Sequence, residues 1–263
     1  MNNQTSPLLR NLAKEKLLRG EPVFSMTIRL VRTVDIASIA HTAGFESVYI
    51  DMEHSTFPLE AAGQICMACN ALGVTPFVRV PGPDPFFIAK VMDAGAMGII
   101  VPGVQSADEA RDAVRAVKHA PLGIRSFSGA APQLNYRFLP ADETIRELDQ
   151  ASMVVAMIES RTGLDAVEDI AAVEGVDMLL VGASDLSAEL GVAGQVDHPE
   201  VHKAFLRVID ACRAQSKAVG IGGLGGRPDL VRQYLELGAG FVSTGNDITF
   251  LSAAAAQKRK QFS

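Results

Sequence analysis

An apolar run in the first quarter of the chain ends abruptly in two carboxylates and an imidazole. The run Val48–Ile50 has the composition of a short buried strand, and Asp51, Glu53 and His54 follow it. Buried strands do not normally end in two carboxylates and an imidazole. An imidazole with a nearby carboxylate is typical of a general base and its partner. A solvated strand end has the same composition, so this segment alone leaves both interpretations open.

Polar residues also follow several other apolar runs. They are Arg79, Glu159, Gly182-Ala-Ser-Asp185, Gly222-Gly223 and Thr244-Gly245-Asn246-Asp247. Glu159 and Asp185 offer carboxylate oxygens without a sulfur ligand, which suits Mg²⁺ or Mn²⁺ with water completing the coordination. Asp51 would orient the His54 imidazole as a base, and Arg79 would polarise a substrate oxygen. A salt bridge is the alternative for each residue alone, but their joint placement favours catalysis.

The elements that must position these residues are short apolar runs that alternate with amphipathic segments. The runs are Pro22–Ile28, Ser47–Ile50, Thr75–Val78, Gly98–Val101, Met153–Ile158, Asp177–Val181, Lys217–Ile221 and Gly240–Ser243. Each is apolar nearly throughout, as in parallel strands covered by helices. Eight strand–helix units in about 250 residues predict an α/β fold of the TIM (β/α)8 barrel type, whereas a doubly wound sheet would fit five or six strands better.

The barrel is predicted to be a single domain over residues 1–263, because no change in composition marks a linker. An extra N-terminal helix over Leu8–Leu18 is expected to close the barrel floor. A C-terminal helix ends in Lys258–Lys260, where the basic side chains complement the helix dipole, and we expect it to serve in oligomer contacts.

Composition excludes several other classes of protein. The formal net charge of -6 and the pI near 5.4 argue against a nucleic-acid partner. No apolar stretch is long enough to span a membrane, and Met1–Gly20 is too polar for a signal peptide, so we expect a cytoplasmic protein without a membrane partner. Cys66, Cys69 and Cys212 do not form a disulfide framework, and the first two are interpreted as buried residues of a helix.

Two covalent mechanisms lack their nucleophile. None of the lysines follows an apolar run at its carboxyl end, and Lys217 opens the seventh run at the opposite end, so no Schiff-base lysine is predicted. No serine lies in a G-x-S-x-G turn and no cysteine follows a strand, which argues against acyl-enzyme chemistry.

The segment Gly220–Gly225 matches the pattern G-x-G-x-x-G. A dinucleotide fingerprint belongs in the first strand–helix unit, but this copy lies in the seventh, so no nucleotide cofactor is predicted. Barrels often bind phosphate on the loops after strands seven and eight, which keeps a phosphate site open beside the simpler interpretation of a tight turn.

The longest irregular segment is His119–Pro140, between the fourth helix and the fifth strand. A loop of this length in a compact domain is usually functional, so it is a candidate lid. Arg125 could bind an anionic ligand from this loop, or it could tie the loop to the barrel.

At these residues the sequence resembles the HpcH/HpaI family of class II, metal-dependent pyruvate aldolases, of the 4-hydroxy-2-oxoheptanedioate aldolase type. The matching stretches cover the chain from about the first strand to the last helix. They are Ile50–His54, Phe77–Pro81, Val101–Ala110, Gly123–Arg125, Ile158–Arg161, Val173–Asp177, Gly182–Ser187, His198-Pro199 and Tyr234–Ala239.

The resemblance implies that Glu159 and Asp185 hold a divalent ion, which is Mg²⁺ or Mn²⁺ and could be Co²⁺. Pyruvate would bind this ion through its carboxylate and keto oxygen. Arg79 would stabilise the enolate, and backbone N–H groups near Ser184 and Asp185 would receive the substrate carboxylate. Arg125 is included in the predicted substrate-binding set.

The resemblance further implies that His54, paired with Asp51, takes the 4-hydroxyl proton through a metal-bound water and that Glu53 holds such water. The family active site lies near a subunit boundary of a homohexamer, where an acid at the position of Asp93 comes from a neighbour. The implied partners are a small keto acid and an aldehyde.

Two positions depart from the family pattern. Met157 stands where a substrate-contacting glutamine is common, and Ala183-Ser184 replaces Pro-Ala. Methionine cannot donate a strong hydrogen bond, so the orientation of pyruvate or the accepted partner would differ. Aldol cleavage of a 4-hydroxy-2-oxo acid is the first hypothesis. The alternatives are oxaloacetate decarboxylation, cleavage of a CoA-linked or phosphorylated acid, and a barrel that binds a keto acid without turning it over.

Overall fold

The computed structural model describes residues 8–262, in which eight strands form a closed parallel barrel in chain order. Each strand pairs with the next, and β1 pairs with β8 to close the ring. The strands are β1 Val23–Ile28, β2 Ser47–Asp51, β3 Thr75–Arg79, β4 Gly98–Val101, β5 Met153–Ile158, β6 Met178–Gly182, β7 Ala218–Gly222 and β8 Phe241–Asn246. The predicted barrel is confirmed, and the largest difference in bounds is the extension of β8 beyond Ser243.

Helices follow the strands and cover the outside of the barrel. Their starts agree with local signals, since Ser106 accepts a hydrogen bond from the Glu109 N–H and Pro228 opens its helix. The helices are α1 Leu12–Leu18, α2 Asp35–Thr42, α3 Leu59–Leu72, α4 Pro85–Asp93, α5 Ala107–Val117, α6 Ala141–Ala151, α7 Arg161–Asp165, α8 Val167–Ala171, α9 Ala183–Glu189, α10 Pro199–Ala214, α11 Pro228–Glu236 and α12 Asp247–Lys260, and a 3-10 helix spans Pro132–Leu134.

Apart from the carboxyl half of β8, the strands bury both of their faces, which explains why they are apolar nearly throughout. Side chains that point inward form one cluster inside the barrel, where Phe77 meets Phe241 edge to face at a ring distance of 5.6 Å. Side chains that point outward, such as Ile50 and Val78, pack beneath the helices in a larger cluster. This packing fixes the strand ends that carry the polar residues.

The N-terminal helix α1 lies against the amino ends of the strands. Ala13 is fully buried in the interior cluster, and its N–H donates to Thr75 Oγ1 at 3.1 Å. Asn11 caps the helix and donates to the carbonyls of Met97 and Ala151. The expected closure of the floor is confirmed, with the helix starting at Leu12.

The segment 119–140 lies at the amino end of the barrel, because it joins a helix to the following strand. Arg125 is buried there and its guanidinium lies 2.6 Å from Asp93 Oδ1, at the end of α4. Lys118, just before the segment, donates to the Ser152 carbonyl at the start of β5. Within this chain Arg125 therefore ties the segment to the barrel, which is one of the two roles that the sequence left open. Its role in substrate binding and that of the segment as a lid stay predictions.

The C-terminal helix α12 projects from β8 with most of its length exposed. Asp247 is its buried residue, and Phe250 stacks on Phe45 at a ring distance of 6.5 Å. None of the helices in residues 8–262 combines the length and the apolar character needed to cross a membrane.

Candidate active site

A polar cavity of about 390 Å³ opens at the carboxyl ends of the strands. This is the end at which (β/α)8 barrels carry their chemistry. Its walls combine charged groups with the last residues of several strands, and they comprise Thr27, Arg29, Tyr49, Asp51, His54, Arg79, Met157, Leu180, Gly182, Ala183, Ser184, Asp185, Gly222, Gly223, Ser243 and Asn246.

Asp51 and Arg79 form a buried ion pair at the ends of β2 and β3. The two residues are register partners, which brings the guanidinium onto the carboxylate. Arg79 Nε donates to Asp51 Oδ1 at 3.0 Å and a terminal nitrogen donates to Oδ2 at 2.7 Å, a bidentate arrangement. Burial alone would raise the pKa of Asp51, but the Arg79 hydrogen bonds and charge hold it below its usual value. Both groups therefore stay charged and fixed.

Asp51 also organises the turn that carries His54. Its Oδ1 accepts the backbone N–H groups of Glu53 at 3.1 Å and His54 at 3.2 Å, and its carbonyl accepts the Ser55 hydroxyl. The His54 imidazole instead faces Glu53, with Nε2 3.7 Å from Oε2, and it is 54% exposed. The predicted pairing of the imidazole with Asp51 was wrong, because the carboxylate is already occupied by Arg79 and the backbone.

Glu159 lies just beyond β5 in a half-buried, acidic environment. Its Oε1 accepts the Gly103 N–H at 2.7 Å. Burial raises the pKa of Glu159 to about 7; the negative charges of Glu53 and Asp185 act in the same direction, whereas the Gly103 hydrogen bond opposes them. Asp185 lies in the first turn of α9 on the cavity wall.

The donor set of this region fits a hard divalent ion. Asp185 lies close enough to Glu159 for its negative charge to raise the pKa of Glu159, and a cation held between them would remove this repulsion. The buried Glu53 Oε2 lies 2.9 Å from an Arg79 nitrogen but has no well-directed hydrogen bond among residues 8–262. Within residues 8–262, no group of three or more His, Cys, Asp or Glu side chains is arranged so that it could hold a metal ion. Two carboxylates with water would suit Mg²⁺ or Mn²⁺.

Met157 lies in the floor of the cavity. The side chain is buried, and its sulfur lies 3.9 Å from an Arg79 nitrogen. Met157 and Glu159 both press against Gly182, since a Cβ there would lie 2.7 Å from Met157 Cε and 2.8 Å from Glu159 Oε2. The absence of a side chain at Gly182 therefore makes room for the predicted metal ligand.

The glycine-rich turn after β7 packs against the start of α9. Gly223 has φ +80, and a Cβ there would lie 3.1 Å from the Ser184 nitrogen. This geometry agrees with the interpretation as a tight turn. A phosphate site on this loop stays a prediction.

The sequence analysis missed Arg29, which follows β1, and Gly103, which follows β4. It also missed Thr27 and Ser243, whose hydroxyls lie 2.9 Å apart in the cavity. The rule that identified Arg79, namely that residues after a strand reach the site, would have found Arg29 and Gly103 if applied to the first and fourth strands.

A closed (β/α)8 barrel with carboxylates, an imidazole and a buried arginine at its carboxyl end has the architecture of a barrel enzyme. Comparison with known families identifies which one. The chain belongs to the HpcH/HpaI aldolase/citrate lyase family, whose model matches residues 30–254.

Individual relatives agree with this assignment. The chain is 41% identical to a 4-hydroxy-4-methyl-2-oxoglutarate aldolase of Hapsidospora irregularis over 216 residues, 81% of this chain and 80% of the relative. It is 35% identical to a 4-hydroxy-2-oxo-heptane-1,7-dioate aldolase of Salmonella arizonae over 94% of this chain and 92% of the relative. The crystal structure of an HpcH/HpaI aldolase from Desulfitobacterium hafniense superposes with a TM-score of 0.89, at 29% identity and 95% coverage of both chains.

Proposed function

We propose that the protein is a divalent-metal-dependent aldolase that reversibly cleaves a 4-hydroxy-2-oxo acid to pyruvate and a second carbonyl compound. The observation that carries the proposal is the bidentate Asp51–Arg79 pair in the same cavity as Asp185 and beside Glu159. The names of the two relatives support this substrate class, since both are aldolases of 4-hydroxy-2-oxo acids. The test is pyruvate release from such an acid, measured with and without a chelator.

Glu159 and Asp185 would hold the ion, and a divalent ion supplies Lewis-acid polarisation of the substrate keto oxygen when bound. The protein contributes the orientation of the substrate around that centre. The first turn of α9 leaves N–H groups at Ser184 and Asp185 without intrahelical acceptors, and these are available to the substrate carboxylate.

Arg79 is positioned to stabilise the enolate. Cleavage of the carbon–carbon bond leaves negative charge on the former keto oxygen, and a guanidinium held in advance stabilises it without reorganisation. The position of Arg79 is fixed by Asp51 on one side and by the Tyr49 ring, 5.4 Å from the guanidinium carbon, on the other.

His54 is the group that we assign to proton transfer with the 4-hydroxyl. Its ring lies at the exposed mouth of the cavity, while its backbone is held by Asp51 and its carbonyl accepts a hydrogen bond from Arg29 at 2.6 Å. A fixed backbone with an accessible ring suits a base that must reach a bound substrate.

His54→Ala should lower kcat for cleavage by roughly 10²- to 10⁴-fold, the range for loss of a general base. Metal affinity should stay within about twofold, because the imidazole is not an assigned ligand. Coupled pyruvate assays and Mn²⁺ titration measure the two quantities, with exposed His41→Ala as the matched control. Equal loss of metal affinity and activity would place His54 among the metal ligands.

Metal affinity should depend on pH through Glu159. The raised pKa of about 7 means that a proton competes with the ion below neutrality, so affinity is full above pH 7 and falls on acidification. Well below the pKa, the apparent Mn²⁺ affinity should decrease by about tenfold per pH unit. Mn²⁺ titration by electron paramagnetic resonance between about pH 5.5 and 8.5 measures the profile. A flat profile would contradict this assignment of Glu159.

We also propose a homohexamer in which the exposed helix α12 contributes to subunit contacts. Leu251 is 60% exposed on this helix, and Phe250 is partly covered by Phe45 of the same chain. The supply of Asp93 to a neighbouring site stays a prediction; within its own chain this residue pairs with Arg125 at the amino end of the barrel. Light scattering of the wild type and of Leu251→Glu tests the assembly.

A further inference from the structure

Arg29 lies at the rim of the cavity, and hydrogen bonds hold its backbone in place. It follows β1 directly, and its backbone N–H donates to Asp247 Oδ1 at 3.0 Å. The next two N–H groups, of Leu30 and Val31, donate to Asp247 Oδ2 at 2.9 and 2.8 Å. Because Asp247 is buried, the backbone that carries Arg29 is rigidly attached to the start of α12.

The guanidinium of Arg29 makes one hydrogen bond within the part of the chain that the structure describes and keeps other N–H donors for a ligand. One terminal nitrogen donates to the His54 carbonyl, while Nε lies 3.3 Å from Asp51 Oδ2 without a hydrogen bond. This Nε is buried and has no hydrogen-bond partner among residues 8–262. A guanidinium has five N–H donors, so Arg29 retains donors for a ligand, and a third of its side chain is exposed at the cavity.

Beyond Asp51, Arg79 and Arg29 contact different groups, which indicates different roles in the site. Arg79 is engaged by both Asp51 oxygens and lies 2.9 Å from Glu53, so it is committed to the enolate side. Arg29 approaches Asp51 Oδ2 from the end of β1 and contacts the carbonyl of His54. His54 is assigned to proton transfer with the hydroxyl on C4 of the substrate. The rest of the chain attached to C4 therefore lies on the side of Arg29.

We propose that Arg29 is a specificity-determining residue that binds a carboxylate on the electrophilic half of the substrate. The inference rests on the proposed aldolase function and assigns a residue to the second carboxylate, which the substrates named for both relatives carry. A planar guanidinium with free donors recognises a carboxylate better than it recognises a neutral hydroxyl or alkyl group. The carbonyl compound released beside pyruvate therefore carries its own carboxylate.

The test compares a charged and a neutral acceptor in the aldol direction, with pyruvate as donor and Mg²⁺ present. The acceptors are 4-oxobutanoate and butanal, which share a four-carbon chain and differ in the terminal carboxylate. The measured quantity is the ratio of kcat/KM for 4-oxobutanoate to that for butanal. In Arg29→Gln this ratio should fall roughly 10- to 100-fold, the value of a charge-assisted hydrogen bond. Arg29→Lys, which keeps the charge but not the fork, should give an intermediate ratio.

Arg32→Gln is the matched control because it removes an exposed arginine of the same loop that does not line the cavity. Its side chain donates to Thr56 Oγ1 at 2.5 Å. The ratio for this control should equal that of the wild type.

Three results would overturn the proposal. The first is an unchanged ratio in both Arg29 variants, and the second is an equal loss for both acceptors, which would make Arg29 only a support of the His54 turn. The third is a wild-type ratio near one. Exchange of the pyruvate methyl protons by the wild type is measured separately, so a failure of the proposed aldolase function is distinguished from a failure of the role of Arg29.

Discussion

Replacing Glu159 by glutamine is expected to abolish divalent-metal binding and, with it, turnover of any 4-hydroxy-2-oxo acid. Glutamine keeps the size of the side chain and can still accept the Gly103 N–H, but it removes the charge. Asp185 is then the one carboxylate that remains of the two assigned metal ligands. We expect at least a 100-fold weaker affinity for Mn²⁺ and at least a 10³-fold lower kcat/KM, about 4 kcal/mol of transition-state stabilisation.

The neutral variant should also be as stable as the wild type or more stable in the absence of metal. Burial and two neighbouring carboxylates disfavour the charged form of Glu159, so removal of the charge removes a cost. Glu168→Gln is the control, because this glutamate lies on the surface and pairs with Arg207. Wild-type Mn²⁺ affinity in Glu159→Gln would show that the ion, if any, is held elsewhere.

Arg79→Met is expected to combine the second-largest loss of activity with a loss of stability. Removal of a preorganised donor to a developing oxyanion typically lowers kcat by roughly 10²- to 10³-fold. The same change leaves the buried Asp51 carboxylate without its bidentate partner, which typically costs about 3–5 kcal/mol. Activity assays and urea denaturation measure the two effects.

The stability loss in Arg79→Met should depend on pH with a defined sign. In the wild type the pKa of Asp51 is below its usual value, so the pair stabilises the fold above that usual value and the contribution is lost as pH falls. Without Arg79, burial raises the pKa of Asp51 above its value in the unfolded chain. The folded variant therefore loses stability as the pH rises through that unfolded-state pKa. The gap between the two proteins should therefore widen from about pH 4 to neutrality.

The double variant Asp51→Asn/Arg79→Met separates the two roles of Arg79. It should recover much of the lost stability, since the buried Asp51 charge is removed together with its bidentate partner, but it should not recover activity. Recovery of both would mean that Arg79 acts only by compensating Asp51. The conservative Arg79→Lys should fold well yet remain impaired, because an ammonium cannot reproduce the bidentate contact.

The barrel could be predicted because the strands, apart from the carboxyl half of β8, are buried on both faces and are therefore apolar nearly throughout. The ends of the strands were equally informative, since Asp51 and Arg79 are the last residues of β2 and β3. The register that pairs these two residues was not predictable, because it depends on how neighbouring strands align across a closed sheet.

The partner of His54 could not be deduced from spacing. A carboxylate three residues before an imidazole can contact the ring or the backbone N–H groups of the turn, and both fit the same sequence. In the structure Asp51 accepts the backbone N–H groups, and Arg79 already engages both of its carboxylate oxygens.

The contact that Arg125 makes within its own chain follows from topology. The sequence left open an anionic ligand or a contact that ties the loop to the barrel, and the guanidinium lies 2.6 Å from Asp93 Oδ1. A segment that leads from a helix into a strand lies at the amino end of its own barrel, so topology favours the second role within one chain. The available donors of Arg29, by contrast, required coordinates, because they depend on which hydrogen bonds its guanidinium makes.

The most direct test of the central claim is exchange of the pyruvate methyl protons in D₂O, followed by NMR with Mg²⁺ or Mn²⁺ and again with a chelator. The claim is that this cavity generates an enolate from pyruvate with the help of a divalent ion. It predicts exchange that requires the metal, disappears with the chelator, and is lost in Glu159→Gln. The absence of exchange with every divalent ion tested would contradict the claim and remove pyruvate as the ligand.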